Sequence, residues 1–600
     1  MNDESTPRRD SRPPGRRRLR SGVTLLAGIA TTGASALGFL ALNPGVSGAA
    51  TTTSSSASNL AYTPLSTPAR VCDTRTASAS GVTLASGVSG QCDQSGNALT
   101  EGSVLEVAMP SSVVPSSAQA VVVNVTAIDP SAPGYVSVYP ATGSAPGLIS
   151  NLNVTKGQIV ANQATVALQG GAIDVYYGGA PSGSTVNIAV DVEGYYAAPS
   201  STSGDPYTPI TPTRVCDTRS GLNDVASGAS SQCANSGTPV GPGGTLNVSF
   251  PSSVVPSGAT AVALNVTEAD ATASSYVAAY PAGQSKPGVS NLNFGPGNVL
   301  SNQVIVGLGS NGQVTLYNNS GNVDLIVDVD GYYTAPGTSG SLFTAMATPE
   351  RICDTRSGQN DVASNVAGQC ANSGTAVSGG SSVTVATGLP SGATAADVNV
   401  TDLPTTGNYL TAYAAGSTVP GVSTVNYVTA DPYNVVPNAA YVPLSSSGAL
   451  AVENGPADAG AANVVVDLFG YFAPLANGVT VSANPASVAA GGTSTITATV
   501  VHGGSPVSGD QVAFTVSPST CGTFTPSSGV SVTNASGSAI VTFTAGSTAQ
   551  SCTITATDAD YAMSGQGTVT VTAAPNTVTV QAASGSSLTV PANGTTSESL

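Results

Sequence analysis

Six hundred residues carry 15 Lys+Arg against 32 Asp+Glu, a formal net charge of −17, and only 8% of positions are charged, where a soluble domain has about 25%. A chain this acidic lacks the basic footprint of a nucleic-acid binder. Its single histidine, His502, cannot supply a His-rich metal site or most His-dependent catalytic sets, and 69 glycines and 40 prolines among abundant Ser, Thr and Val argue against long helices.

Residues 1–20 contain seven arginines, from Arg8 to Arg20; an uncharged stretch runs from Ser21 to Leu42, and then come the small residues Ser47-Gly48-Ala49-Ala50. This is the three-part pattern of a secretory signal, with cleavage expected after Ala49 or Ala50. The alternative is an uncleaved membrane anchor, since an apolar run of about 20 residues can span a bilayer. Arg16-Arg17-Arg18-Leu19 leaves general and twin-arginine export both open. Removing 1–49 leaves 8 basic and 29 acidic residues. Lys156 and Lys286 are then the only lysines, and the six arginines all fall in one recurring motif. A Ser/Thr-rich linker over 50–61 separates the signal from the first copy of that motif.

The motif opens three long repeats: Arg70-Val-Cys-Asp-Thr-Arg75, Arg214-Val-Cys-Asp-Thr-Arg219 and Arg351-Ile-Cys-Asp-Thr-Arg356. Each copy continues with Gln-Cys, then Asn-Val-Thr (Asn124, Asn265, Asn399), then a mid-repeat Asn (Asn153, Asn293, Asn426). Each closes on Val-Asp-[Val/Leu]-x-Gly-Tyr-[Tyr/Phe] at 191–196, 328–333 and 467–472. First cysteines are 144 and then 137 residues apart, too long for a solenoid or propeller repeat, so each copy is expected to be a whole domain. The boundaries read 62–198, 207–336 and 343–474, with Ser/Thr/Gly/Pro linkers at 199–206 and 335–342. Short β-branched segments bounded by turn residues predict tandem all-β sandwiches, jelly-roll-like, with strand order left open.

Residues 478–574 differ. Alternating segments such as Thr495–Val500 and Gly567–Thr572, about seven short strands in all, predict an immunoglobulin-like β-sandwich. The elements G-x-P-V-x-G-x-x-V-x-F, ending at Phe514, and T-x-x-x-G-x-A, from Thr533 to Ala539, make this span similar to bacterial Ig-like modules of the invasin/intimin type. Residues 577–600 restart the pattern and stop mid-motif, as expected of an incomplete second Ig-like domain. The three-copy region resembles the D-T-R…V-D-V-x-G-Y-[YF] repeat domains of secreted and wall-associated actinobacterial proteins. That resemblance implies a setting beside wall hydrolases or Ig-like modules and carries over no catalytic residue.

Eight cysteines in an exported chain read as disulfides, and domain boundaries pair them as Cys72–Cys92, Cys216–Cys233, Cys353–Cys370 and Cys521–Cys552. For the arginine motif two readings stand. In the first, Arg70 and Arg75 are held by Asp73 and Asp191, with Arg214, Arg219, Asp217, Asp328 and Arg351, Arg356, Asp354, Asp467 as the equivalent networks, fixing register. In the second, the arginines form a fork for an anionic or sugar ligand, with Asn124, Asn153 and the paired tyrosines as neighbours. Strict strand alternation would place Val71, Asp73 and Arg75 on one face and Arg70, Cys72 and Thr74 on the other.

Asp-Thr-Arg lacks the glycine of an aspartic-protease loop. Asp328-Val-Asp330-Gly331 lacks the remaining ligands of a calcium loop. No catalytic residue, metal ligand or cofactor is therefore expected. The sequence predicts a non-catalytic, exported cell-surface or wall-associated protein acting as a stalk or adhesin. The alternative is a set of wall- or polysaccharide-binding modules serving a secreted hydrolase whose catalytic domain lies outside this chain. Its expected partners are a cell-wall polymer, a polysaccharide or a surface protein; neither nucleic acid nor membrane is expected unless the N-terminal segment stays uncleaved.

Overall fold

The computed structural model describes residues 58–592 except 144–148, 200–203, 337–339, 405–407, 428–434, 459, 475–477, 503–504, 561–562, 575 and 582–586. The expected signal segment and the end of the chain after 592 lie outside the described residues.

Among its described residues the first copy contains nine strands: β1 (Ala61–Asp73), β2 (Leu99–Thr100), β3 (Val104–Ala108), β4 (Ala118–Ile128), β5 (Gly134–Pro140), β6 (Leu152–Val154), β7 (Ile159–Ala167), β8 (Ala172–Gly178) and β9 (Thr185–Ala197). Two antiparallel sheets form, in the orders β1-β9-β4-β7 and β3-β8-β5-β6, with β2 paired to β9. This interleaving of chain-distant strands is a jelly roll, and it settles the order that strand patterning left open. Valines 121, 123 and 125 of β4 point into the sandwich against Val136, Val138, Ile173 and Val175 of the opposing sheet. β4 is buried on both faces, so its sequence reads as a nearly continuous apolar run rather than an alternation.

The second and third copies repeat both sheets. In the second, Tyr207–Asp217, Asp324–Thr334, Ala259–Ala269 and Leu300–Gly307 form the first sheet. In the third, the corresponding strands are Ser341–Asp354, Ala462–Pro474, Ala395–Pro404 and Val436–Pro443. These two sheets join into one of eight strands where Tyr207 pairs with Ser341. Isolated bridges complete a triangle: Tyr62 pairs with Asp205, and Leu60 with Phe343. The tandem β-sandwiches expected from the sequence form, and their three copies also pack around a common centre.

Residues 478–574 fold as an Ig-like sandwich of two sheets. One comprises Gly478–Asn484, Thr493–His502, Ser538–Ala545 and Gly522–Thr525, with Ser505–Pro506 at its edge. The other comprises Ser487–Ala489, Met563–Thr572, Gln550–Asp558, Gln511–Ser517 and Val530–Val532. Ile496, Val541, Phe543, Ile554 and Val569 fill the space between them, and burial alternates along Ser538–Ala545 as the sequence pattern requires. Asn576–Gln581 and Ser587–Ala592 form an antiparallel hairpin beyond it. Among the described residues no helix is long and apolar enough to cross a membrane.

Candidate functional site: the arginine network and the seams between copies

β1 does not alternate strictly through its motif. Arg70 faces Asp191 while Cys72 faces Val190, so the register shifts between them. The extra residue of a bulge re-aims side chains, and here it lets Arg70 and Asp73 meet. The Arg70 guanidinium spans two carboxylates: Nε and Nη2 each donate to Asp191 at 2.8 Å, and Nη1 donates to Asp73 at 3.1 Å. Arg75 forks onto the other side of Asp73, with Nε at 3.0 Å and Nη2 at 2.7 Å, and Ser80 Oγ adds a bond of 2.7 Å. Asp73 and Asp191 are buried.

The other copies vary the same plan. Arg214 holds Asp328 at 2.8 and 3.2 Å and reaches Asp224 at 2.6 Å, while Arg219 forks onto Asp217. Arg351 holds Asp467 at 2.7 and 3.1 Å and Asp361 at 2.6 Å, while Arg356 forks onto Asp354. Asp224 and Asp361, which sequence reasoning did not single out, take over the contact that Asp73 makes alone in the first copy. The signal for them was the shared Asn-Asp-Val-Ala-Ser segment, present in the second and third copies and absent from the first. Burial would lower the arginine pKa values, but the paired carboxylates outweigh it and raise all three first-position arginines.

Each motif is pinned to its own domain by a disulfide: Cys72–Cys92, Cys216–Cys233 and Cys353–Cys370, with Cys521–Cys552 in the Ig-like domain. In a chain-entropy account, loops of this size contribute about 3 kcal/mol each.

Asn124 and Asn153 do not join the arginines in a pocket. Asn124 points out of the sandwich into the second copy, where its Nδ2 donates to Ser290 O at 2.5 Å and its Oδ1 accepts from Asn302 at 2.8 Å. Asn302 Oδ1 then accepts from the Gln163 backbone N of the first copy at 3.0 Å. The second copy docks on the third in the same way through Asn265, Ser423, Asn438 and Gln303. The third returns to the first through Asn399, Ser150, Asn162 and Ala439. Head-to-tail contacts whose rotation closes make a ring, here written into one chain. Asn153 stays local, 3.5 Å from Ser150 Oγ.

The tyrosines of the closing motif divide. Tyr196, Tyr333 and Phe472 meet Tyr62, Tyr207 and Phe343 in a central core to which all three copies contribute. Tyr196 and Tyr333 share a hydroxyl–hydroxyl bond of 2.6 Å, and Tyr441 Oη lies 3.3 Å from Tyr196. The variable residue of the motif lies on a bulge: Val122 pairs with Gly194 and Val123 with Val192, leaving Glu193 extra. Glu193 reaches the second copy and accepts from Asn291 Nδ2. Burial, opposed by the Ile305 and Asn291 bonds and reinforced by Asp191, pushes Glu193 up to about 8. Asp330 occupies the same position in the second copy and is also raised by burial. In the third copy Phe469 stands there, and a buried Asp397 on the adjacent strand supplies the carboxyl instead.

Around the motifs, an open cavity of about 370 Å³ is lined by Arg219, Leu222, Asp270 and Asp324. His502 ends a strand of the Ig-like domain.

No protein family and no curated protein matches the chain. Among solved structures it is similar to the D0-D1 domain of intimin, at 19% identity over 33% of this chain and 92% of that one, with a TM-score of 0.14. It is also similar to a Salmonella alpha-2-macroglobulin reacted with methylamine, at 11% identity over 80% of this chain and 40% of that one, with a TM-score of 0.20. A third likeness is to a glycosyl hydrolase family 2 member from Bacteroides cellulosilyticus DSM 14838, at 8% identity over 78% and 92%, with a TM-score of 0.13. Scores this low carry no argument about activity or ligand.

Proposed function

We propose that the chain is an exported, non-catalytic surface protein whose three jelly rolls form one trivalent binding head, followed by an Ig-like module. The observation that carries this reading is the closure of the three copies by the same asparagine seam. It repeats one domain surface three times within a single compact unit, so weak individual contacts multiply. Four disulfides fit an oxidising compartment. The arginines that would otherwise serve as a ligand fork are consumed by internal carboxylates, which favours their structural reading over a recognition site. The closed packing also favours a compact head over a stalk of independent beads. The partner class is a cell-wall polymer, a polysaccharide or a surface protein.

The test is sedimentation of the purified chain with wall preparations, insoluble polysaccharides and intact cells that keep their surface proteins. Saturable capture without release of soluble sugar supports the proposal. Capture by none of them, or hydrolysis of any of them, overturns it.

A further inference from the structure

The Ig-like domain contains three acidic residues, Asp510, Asp558 and Asp560, and no lysine or arginine occurs anywhere after Arg356. Three like charges with no cationic side chain in the same domain would lower their mutual repulsion by lying far apart. The fold does the opposite. Asp510 immediately precedes the strand Gln511–Ser517, Asp558 ends the strand Gln550–Asp558, and Val512 pairs with Asp558 across them. One carboxylate oxygen from each of the three aspartates therefore lies within 4.8 Å of the other two.

A second observation is independent of the clustering. Asp558 is wholly buried, and among the described residues its Oδ2 has no hydrogen-bond partner. A buried carboxylate oxygen left without a donor is costly, and no neighbouring cation on this domain can offset it. The surroundings hold the group in place: Asp560 N donates to Asp558 Oδ1 at 3.1 Å, Thr533 N donates to Asp510 O at 2.9 Å, and Thr533 Oγ1 accepts from Asp510 N at 3.0 Å. Asp510 is half-buried and Asp560 exposed, which leaves a route in from solvent.

We propose that Asp510, Asp558 and Asp560 form a calcium site at this end of the Ig-like sandwich. Oxygens bound to one calcium at about 2.3–2.6 Å lie at most about 5 Å apart, which matches the spacing. An all-carboxylate donor set selects a hard cation over zinc or copper. Calcium, which takes six to eight oxygens in irregular geometry, suits three convergent carboxylates completed by water better than magnesium, which demands a near-ideal octahedron. The bound ion would tie Asp558 and Asp560 to Asp510, so it would stiffen that end of the module.

The experiment uses the purified full chain, stripped with chelator and titrated with calcium chloride by calorimetry, with thermal unfolding followed in parallel. One saturable site is expected, with a dissociation constant of about 10⁻⁴–10⁻³ M as in extracellular calcium modules, and a calcium-dependent rise in one unfolding transition. Because Asp560 is exposed, Asp560→Asn should fold normally by circular dichroism without calcium, yet weaken binding about tenfold or more. Asp510→Asn should do the same. The proposal is overturned if the parent shows neither saturable heat nor a stability change up to millimolar calcium. It is equally overturned if both variants titrate like the parent, or if magnesium binds as tightly as calcium.

Discussion

Gly194 lies directly against the ring of Tyr62: a Cβ built at position 194 would stand 2.3 Å from the tyrosine oxygen and 2.4 Å from its ring. Gly331 meets Tyr207 at 2.2 Å and Gly470 meets Phe343 at 2.4 Å in the same way. The glycine of the closing motif thus exists so that an aromatic side chain of the opening strand can lie flat on the last strand and reach the centre. Gly194→Ala is expected to cost about 1–3 kcal/mol through overpacking. Gly258→Ala, on an exposed turn with nothing within 4 Å of the added atom, should be near neutral. Denaturant midpoints of the two variants decide it, and equal midpoints would refute the packing argument.

Removing Arg70 strands a buried partner. Asp191 is 1% exposed and receives both Nε and Nη2 from Arg70, so Arg70→Ala should lower stability by about 3–5 kcal/mol. The double variant Arg70→Met/Asp191→Leu removes both charges together and should recover most of that loss. Recovery in thermal melts marks a structural pair. A severe loss of wall binding with unchanged melting would instead restore the ligand-fork reading.

Stability should fall as the solution becomes alkaline. Burial pushes Glu193, Glu268 and Asp402 each up to about 8, far above the ordinary range near 4 of an unfolded chain. The folded state therefore holds protons that the unfolded state has released. The associated stability is complete below about pH 4 and is lost as pH rises through 8. Glu193→Gln should flatten this decline and leave the variant more stable than the parent at pH 9. Urea midpoints measured from pH 5.5 to 9 would falsify the idea if the parent gained stability over that interval.

Much of this architecture was legible. Three copies of one motif, short β-branched segments and paired cysteines specify disulfide-stapled sandwiches because period-two burial and turn residues are local properties. Ring closure was not legible, because Asn124 and Asn302 acquire meaning only when two domains touch. Its trace was present as polar pairs inside otherwise apolar strands, Asn162-Gln163 between Ala161 and Ala164, and Asn302-Gln303 between Ser301 and Val304. The alternation assumed for Arg70 through Arg75 failed because a bulge inside a strand, here between Arg70 and Cys72, leaves no signature in hydrophobicity. The convergence of Asp510 with Asp558 and Asp560 was equally hidden, because antiparallel pairing, not sequence spacing, brings them together.

Trypsin offers the final test of how the cationic residues are used. All six motif arginines are buried or half-buried and ion-paired, and each motif contains a disulfide cysteine. Lys156 and Lys286 are exposed, but Lys286 precedes Pro287, whose ring blocks the extended approach a protease needs. A chain lacking residues 1–49 should therefore be nicked slowly after Lys156 and little elsewhere while oxidised. Reduction should open Arg75, Arg219 and Arg356 to cleavage, because each is anchored to an aspartate adjoining a bridged cysteine. Mass spectrometry of timed digests reads both states. Early cuts at Arg219 or Arg356 in the oxidised protein would show that the arginine network does not hold its backbone closed.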